Sequence, residues 1–546
     1  MGGVVAVAVG GAGFAAYSMY GAGADEDTTA GGTAKTLSAA PLTAAEVRAT
    51  ADGFLTAWQG GNAAKAAAYT DDTAAAQTAL TGLRANAHID DVTLTRGEAS
   101  GEVVTFKVSG TVSYKGKSKP LAYDSQLTVV RRAKDGKPLV GWQPSVVHPD
   151  LKQGDTLVTD EAGDPPVKAE DRHGAELTEA DYPSLGTVLD GLRKKYGKKA
   201  GGTAGIELRV VRGDSADASR KDDGSGKSDE SPDKTLLTLS DGTPGTLKTT
   251  LSATAQAAAE REVGERKGAS IVVMKPSTGE ILAAANSSHG FNTALQGSLA
   301  PGSTMKIVTS SMLLEKDLAS IDKPHPCPKY ASYGGWKFQN VEKFEIKNGT
   351  FRSSFAASCN TAFITQAEKL DEDDLTKQAQ QVFGLGLNNW SIGVSSFDGA
   401  VPVQSNAQMA ASLIGQGGVR MNPLNVASII STAKTGVFRQ PYLVSPDVDG
   451  RTLAKAARKL DASAQAQLHE LLNYTATSGS AAQAMAGAGS DIGGKTGSAE
   501  VDGQTKPNGW FTAWRGDLAA AAVVQQGGRG GKSSGPLVAA VLKAGS

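Results

Sequence analysis

Two short residue patterns that could carry out acyl transfer recur in this 546-residue chain. A serine followed three residues later by a lysine can place a nucleophile and a base on one face of a helix. Lys-Thr-Gly offers a cation and a hydroxyl to a carboxylate. Ser-x-x-Lys begins at Ser231, Ser303, Ser320 and Ser431, and Lys-Thr-Gly begins at Lys434 and Lys495. Each pattern is weak alone, so its surroundings must identify the functional copy.

Ser303 stands in the setting that this chemistry needs. Pro301 and Gly302 interrupt the preceding segment, and the residues that follow, STMKIVTSSMLL, are apolar nearly all round at helical spacing. This pattern predicts that Ser303 opens a buried helix, with Lys306 one turn along. The helix dipole then favours negative charge on the serine oxygen, and burial lowers the pKa of the lysine so that it can act as a base.

The other Ser-x-x-Lys copies lack this setting. Ser231 lies in a charged, Ser- and Gly-rich segment, and the copy at Ser320 runs into Pro324. Ser431 lies about two turns inside the helical pattern NPLNVASIISTAKTGV. Lys434 is therefore interpreted as a favourable charge at the C-terminus of that helix, and Gly436 as its cap.

Strand-like sequence surrounds the second Lys-Thr-Gly. Two glycines precede Lys495, and the runs GWFTAWRG and LAAAAVVQQGG follow it, so Lys495 to Ser498 are predicted to lie on a strand. Gly497 would let a substrate backbone approach closely. Between the serine and lysine motifs lies the one Ser-x-Asn of the chain, Ser358-Cys-Asn360, whose hydroxyl and amide could relay a proton and hold a peptide carbonyl.

The order Ser-x-x-Lys, Ser-x-Asn, Lys-Thr-Gly resembles that of the serine penicillin-recognising enzymes, namely penicillin-binding proteins and serine β-lactamases. GFNTALQGSLAPGSTMKIV and GGKTGSAE with NGWFTAW resemble the transpeptidase class, over about residues 251–546. The resemblance implies that Ser303 attacks the carbonyl between the two terminal D-alanines of a peptidoglycan stem peptide. Lys306 would accept its proton, and Ser358 and Lys495 would help pass that proton to the departing D-alanine.

The resemblance also assigns the binding groups. Thr496 and Ser498 would bind the terminal carboxylate beside Gly497, and Asn360 would hold the peptide. The backbone N–H groups of Ser303 and Ser498 would form the oxyanion hole. β-Lactam antibiotics would acylate the same serine, and the further partners would be cell-wall synthesis or division proteins. No cofactor is expected.

The N-terminal half indicates which group of penicillin-binding proteins the chain resembles. The stretch LTAAEVRATADGFLTAWQGGNAAKAAAYT has helical spacing and is followed by alternating strands around a Lys-Asp-Gly-Lys turn, which predicts a helix followed by a curved antiparallel sheet. GWQPSVVHPDLKQGD and DRHGAEL, with His173 where the family has Asn, resemble the NTF2-like spacer of penicillin-binding proteins of the methicillin-resistance type. The match is to the monofunctional, class B enzymes.

The implied fold is multidomain: an N-terminal α+β NTF2-like domain, a linker or dimerisation-type region, and a C-terminal α/β serine transpeptidase domain with an antiparallel sheet and helices. We expect a transmembrane signal anchor at 1–24, a linker at 25–42 and the NTF2-like spacer at 43–155. The middle region is expected at 156–250, with a disordered insertion at 213–234, and the transpeptidase domain at 251–546.

Charge and composition exclude other classes of protein. A net charge of −1 argues against nucleic-acid binding, and two cysteines and six scattered histidines give no metal-ligand spacing. The first 24 residues carry no charge, which predicts an uncleaved anchor in the cell membrane with the catalytic domain outside the cytoplasm. A cleaved signal peptide or a flexible tail are the alternatives, since no Lys or Arg precedes the run.

Cys327 and Cys359 are a candidate disulfide, because both would lie outside the membrane, where disulfides persist. A bridge would tie the Ser358 and Asn360 loop to the segment that follows the nucleophile helix. In the alternative, Cys359 is a small buried residue and Cys327 a free thiol.

Three functions remain open. A D,D-transpeptidase is favoured over a D,D-carboxypeptidase or β-lactamase, because the span between Ser-x-Asn and Lys-Thr-Gly holds no Glu-x-x-x-Asn element for fast deacylation. A non-catalytic penicillin-binding scaffold or sensor is the third alternative.

Overall fold

The computed structural model describes residues 40–213 and 233–545. The expected anchor, almost all of the expected linker and most of the expected insertion lie outside the described residues. Within those two ranges, no helix has both the length and the apolar character needed to cross a bilayer.

The N-terminal domain packs helices against one antiparallel sheet. Its helices are α1 (Ala44–Gln59), α2 (Ala63–Ala67) and α3 (Thr73–Ala85), and its strands are β1 (Ile89–Ser100), β2 (Val103–Tyr114), β3 (Lys117–Arg131) and β4 (Pro138–Gly141). The strands pair in chain order. Alternate residues of β2, such as Val104, Phe106 and Val108, are buried, so one face of the sheet closes the core over α1.

The helical stretch expected at residues 42–70 forms two helices, α1 and α2, and a third helix, α3, follows before the sheet. Thr43 and Glu46 form a capping box that begins α1. Gly61, at a φ of +71°, turns the chain after α1 ends. The side chain of Asn62 accepts from Lys65 N and begins α2. The short Gly-Gly-Asn stretch therefore breaks a pattern whose apolar spacing appears continuous.

The middle region divides its apolar side chains between two cores. Its elements are β5 (Thr156–Ala162), β6 (Val167–Glu170), α4 (Gly186–Tyr196), β7 (Gly205–Val211), β8 (Lys234–Ser240) and β9 (Gly245–Lys248). Leu208 and Val210 of the β5-β7-β8 sheet pack into the N-terminal core. Leu192 and Tyr196 of α4 pack into the C-terminal core. The middle region therefore connects the two domains through both cores.

The C-terminal domain is built on an antiparallel sheet between two helical layers. The strands of the sheet are β10 (Ala269–Met274), β11 (Ile281–Asn286), β14 (Ile492–Ala499), β15 (Asn508–Arg515) and β16 (Leu518–Val524), in the order β11-β10-β16-β15-β14. A small hairpin is formed by β12 (Tyr330–Tyr333) and β13 (Trp336–Gln339). Both faces of the central sheet are buried, and alanines at 519–522 keep β16 narrow enough for helices to approach closely.

Helices enclose this sheet. They are α5 (Ala253–Gly264), α6 (Thr293–Gln296), α7 (Lys306–Glu315), α8 (Phe351–Ala356), α9 (Thr361–Ile364), α10 (Asp374–Phe383), α11 (Asn406–Ser412), α12 (Pro423–Thr435), α13 (Ala462–Thr477), α14 (Ala482–Met485), α15 (Gly530–Ser533) and α16 (Gly535–Ala544). Apolar residues of α5 and α16 pack on one face of the sheet, and α12 covers the other. Behind α12 lies α7, which is buried from Lys306 to Leu314, as its sequence predicts.

Candidate active site

Ser303 lies in a tight 3-10 turn, Gly302–Met305, which leads directly into α7. It is 9% exposed, so its hydroxyl is near the surface while the helix behind it is buried. Gly302 has a φ of +54°, and a Cβ there would lie 2.5 Å from the carbonyl oxygen of Ser498. Only glycine fits this position, and the tight contact brings the serine against strand β14.

The fully buried side chain of Lys306 is surrounded by acceptors behind Ser303. Its Nζ is 2.9 Å from Ser303 Oγ, 2.8 Å from the backbone oxygen of Ser358 and 2.7 Å from Asn360 Oδ1. Burial disfavours the charged form and holds the pKa of Lys306 well below its ordinary value, and the charge of Lys495 lowers it further. The side chain is therefore arranged as a base beside a hydroxyl.

Ser358 lies in the turn between α8 and α9 and contacts both lysines. Its backbone oxygen accepts from Lys306, while its Oγ lies 2.8 Å from Lys495 Nζ. A φ of +60° gives Ser358 the left-handed conformation that is uncommon for residues other than glycine. This strained backbone directs the carbonyl of Ser358 to the amine of Lys306 and its hydroxyl to the amine of Lys495.

Lys495 is fully buried on β14, the strand that the sequence predicts for it. Its Nζ donates to Ser358 Oγ at 2.8 Å and to the backbone oxygen of Thr496 at 3.0 Å. Burial without a carboxylate partner lowers the pKa of Lys495 from 10.5 to about 7. Lys495 can therefore exchange protons near neutral pH, and the pKa of Lys306 is also lowered by burial.

The three residues after Lys495 continue the strand. Thr496 and Ser498 are partly exposed, and Thr496 Oγ1 lies 2.9 Å from the hydroxyl of Ser480. Gly497 also has a packing role in this strand. A Cβ on Gly497 would lie 3.0 Å from Pro301 O and from the Thr304 methyl, so its missing side chain admits the turn that holds Ser303.

The described copies at Ser320 and Ser431, and the Lys-Thr-Gly that begins at Lys434, make their contacts outside this cluster. Ser431 Oγ donates to the backbone oxygen of Ala427 inside α12, and Gly436 caps that helix at a φ of +72°. Lys434 pairs with Asp491 at 2.9 Å. Ser320 contacts Gln467, and Ser231 lies outside the described residues. The structure therefore brings together Ser303, Lys306, Ser358, Asn360 and Lys495, with the Thr496–Ser498 strand beside them.

The two cysteines are joined in a disulfide, with their Cα atoms 6.1 Å apart. It links the chain before the β12-β13 hairpin to the turn that carries Ser358 and Asn360. The described residues hold no group of three or more His, Cys, Asp or Glu side chains that could bind a metal ion.

Two site residues have no local sequence signal. Ser480 follows α13, and its hydroxyl lies 2.9 Å from that of Thr496 on β14. Asn340 follows β13 and contacts the backbone of Asn360. Neither belongs to one of the three motifs, and both reach the site through contacts between segments that are distant in sequence.

The antiparallel sheet, its helical layers and this constellation are those of a serine penicillin-recognising protein. The sequence profile of the penicillin binding protein transpeptidase domain matches residues 269–543, and that of the NTF2-like N-terminal transpeptidase domain matches residues 46–155. The chain belongs to the penicillin-binding protein transpeptidase family. It combines the two domains that its sequence resembles.

Relatives carry the same kind of domain. The peptidoglycan D,D-transpeptidase PbpA of Mycolicibacterium smegmatis is 27% identical over 339 residues, which cover 51% of this chain and 67% of the relative. Penicillin-binding protein A of M. tuberculosis, solved as a ceftriaxone acyl-enzyme complex, is 25% identical to this chain, with a TM-score of 0.50. The match covers 56% of this chain and 81% of the M. tuberculosis chain. Pseudomonas aeruginosa PBP2, solved in complex with WCK 5153, shares the fold at 19% identity and a TM-score of 0.54, over 70% of this chain and 96% of its own.

Proposed function

We propose that this chain is a peptidoglycan D,D-transpeptidase that crosslinks stem peptides through an acyl-enzyme on Ser303. The proposal is supported by the family, by the activity in the name of the PbpA relative and by the acyl-enzyme of the M. tuberculosis neighbour. The observation that carries the assignment of the serine is the buried Lys306 amine, 2.9 Å from Ser303 Oγ with a strongly lowered pKa.

The first half-reaction follows from these contacts. Neutral Lys306 accepts the proton of Ser303 as Oγ attacks the carbonyl between the two terminal D-alanines. The peptide C–N bond breaks, an ester forms on Ser303, and the departing D-alanine nitrogen takes a proton. In this proposal Ser358 Oγ gives that nitrogen its proton and is reprotonated by Lys495, whose Nζ lies 2.8 Å away, while Lys306 keeps the proton of Ser303 until the ester is broken.

The second half-reaction reverses these steps with another amine. An amino group of a neighbouring stem peptide attacks the ester carbonyl, loses a proton to the same relay, and forms the crosslinking peptide bond. Ser303 recovers its proton and leaves. Hydrolysis by water at this stage would instead give carboxypeptidase or β-lactamase activity.

The β14 strand binds the donor peptide in this proposal. Thr496 and Ser498 bind the terminal carboxylate, Gly497 keeps the strand against the Ser303 turn, and Asn360 holds the peptide side. The backbone N–H groups of Ser303 and Ser498 stabilise the tetrahedral oxyanion, at about 3 kcal/mol for each donor. β-Lactams acylate Ser303 because they present the same carbonyl and carboxylate.

We further propose that residues 1–24 anchor the enzyme in the cell membrane, with the catalytic domain outside. Residues 43–155 then form the spacer, residues 156–250 connect the two domains, and residues 251–546 carry the catalysis. Cell-wall synthesis or division proteins are the proposed partners. Expression without residues 1–40 should give a protein that is recovered without detergent and still binds penicillin.

Fluorescent-penicillin labelling followed by peptide mapping tests the nucleophile. We expect the label on the peptide that contains Ser303, with no label on a Ser303→Ala variant and unchanged labelling of the matched Ser431→Ala variant. A label on Ser431, or labelling that survives Ser303→Ala, would refute the assignment.

A crosslinking assay then separates the alternative functions. Crosslinked product from a stem-peptide donor and an amine acceptor supports the transpeptidase. Rapid hydrolysis of nitrocefin supports a β-lactamase, release of D-alanine without crosslinking supports a carboxypeptidase, and stable acylation without turnover supports a sensor.

A further inference from the structure

Asn340 is a buried amide with all of its hydrogen-bonding capacity in use. It follows strand β13 and is 1% exposed. Its Nδ2 donates to the backbone oxygens of Pro328 and Phe344, at 3.0 and 2.9 Å, and lies 3.0 Å from Thr361 Oγ1. Nδ2 also lies 3.1 Å from the sulfur of Cys327. These contacts fix the orientation of the amide.

The oxygen of this amide faces the turn that holds the catalytic groups. Asn340 Oδ1 accepts from the backbone N–H of Asn360 at 2.8 Å and from that of Thr361 at 3.1 Å. These N–H groups belong to the first turn of α9, where backbone donors have no partner inside the helix. Asn340 therefore caps α9 from a segment 20 residues upstream.

The cap comes from outside because the local residue is occupied elsewhere. Asn360 stands at the N-cap position of α9 but makes no side-chain capping bond. Its Oδ1 instead accepts from Lys306 Nζ at 2.7 Å. An asparagine at an N-cap would ordinarily bond its own helix. The amide of Asn340 caps α9 instead, and the amide of Asn360 remains hydrogen-bonded to Lys306.

We propose that Asn340 is a positioning residue for the acylation step. By capping α9, it frees Asn360 to bind Lys306 and holds the Ser358 carbonyl on the same amine. Asn340 does not touch the reacting atoms, so it acts on the rate of acylation through Lys306 and changes non-covalent binding of the ligand little. The inference rests on the proposed acyl-enzyme chemistry at Ser303.

Separating binding from acylation tests this role. The assay measures the non-covalent dissociation constant of benzylpenicillin and the first-order acylation rate constant, at the pH plateau of each variant so that altered pKa values do not enter. We expect Asn340→Ala to lower the rate constant about 100-fold, as loss of catalytic alignment does. The dissociation constant should stay within about threefold of the parent value, which corresponds to a change of about 0.7 kcal/mol or less in the free energy of binding.

Two further variants separate positioning from folding. Asn340→Asp keeps an oxygen that can cap α9, because Asp and Asn cap about equally well, but loses the amide donors. It should therefore retain most of the rate constant even where stability falls. Asn422→Ala removes a buried asparagine that caps α12 by accepting from Asn425 N at 2.9 Å, and should leave the rate constant unchanged.

The outcomes decide the proposal. A folded Asn340→Ala variant whose rate constant stays within threefold of the parent overturns it. So do equal losses in Asn340→Ala and Asn340→Asp, or a loss seen only in the dissociation constant. If Asn340→Ala does not fold, Asn340→Asp alone still decides, because a 100-fold loss there contradicts the capping role. Failure of the parent protein to be acylated would instead refute the proposed function.

Discussion

Replacing Lys495 with methionine should stabilise the protein while it disables catalysis. The substitution Lys495→Met keeps a long unbranched side chain in a fully buried place and removes the charge. A charged lysine in an apolar surrounding destabilises the folded state. The two expected effects have opposite signs, so one variant tests both the burial and the chemistry of this lysine.

The size of the stability effect follows from the pKa. Burial lowers the pKa of Lys495 from 10.5 to about 7, and each tenfold difference in proton affinity corresponds to about 1.4 kcal/mol. The buried charge of Lys495 therefore destabilises the folded state by about 5 kcal/mol below pH 7, where both states bind the proton but the folded state binds it more weakly. The cost declines as the pH rises from 7 to 10.5, because the lysine becomes neutral in both states.

Methionine also loses the hydrogen bonds to Ser358 Oγ and Thr496 O, which contribute about 1 kcal/mol each. We expect Lys495→Met to raise the free energy of unfolding by about 2–3 kcal/mol at pH 7 and by nearly nothing at pH 9.5. Penicillin acylation should fall about 10²–10⁴-fold, the range for loss of a proton-transfer group.

Pulse proteolysis in urea, with the fragment of the C-terminal domain followed on gels, measures the stability at both pH values. Lys434→Met is the matched control. It removes the Lys434 to Asp491 ion pair and should cost about 0–1 kcal/mol at either pH without slowing acylation. A Lys495→Met variant that is less stable than the parent at pH 7, or whose gain does not decline with pH, would refute the reasoning.

Three other predictions concern the same site. The acylation rate should rise with pH and level off well below the ordinary lysine pKa of about 10.4, because Lys306 acts as a neutral base. An acylation rate that keeps rising up to about pH 10.4 would contradict this prediction. Gly302→Ala should slow acylation about 100-fold, because its methyl group meets Ser498 O at 2.5 Å, whereas acylation at the parent rate would show that the turn can move. Replacing Cys327 and Cys359 with serine opens a 32-residue loop and should lower the free energy of unfolding by about 3–4 kcal/mol in denaturant titrations; free thiols in the unreduced parent would remove the basis for this expectation.

Local patterns in the sequence were sufficient to predict much of this fold. Strand β14 was predicted from its glycines and from the strand-like runs after it, and α7 from its apolar residues. The choice between the two Lys-Thr-Gly copies also depended on neighbours along the chain. Gly436 ends α12 in the left-handed conformation, which a helix terminus requires of the residue that follows it. Short-range periodicity and capping residues determine such features without tertiary contacts.

The same local reasoning was wrong where a short interruption outweighed the pattern. The stretch from Leu42 to Thr70 was predicted as one helix before the sheet, but a positive φ at Gly61 and a cap at Asn62 divide it into α1 and α2. The apolar spacing continues across the break because α1, α2 and α3 all pack on one core. The spacing of apolar residues indicates which side of each helix faces the core, but it does not indicate where one helix ends and the next begins.

The chemistry of the site was decided by tertiary structure. The sequence supplies lysines at 306 and 495, but only the packing of α7, α8, α9 and β14 removes water from both amines and lowers their pKa values. The disulfide needed two Cα atoms at 6.1 Å, which spacing along the chain cannot give. Asn340 and Ser480 belong to no motif, because each reaches the site through contacts with segments distant in sequence. Residue types and local order are therefore determined by the sequence, whereas solvation, distance and the partner of each polar group depend on which segments the folded chain brings together.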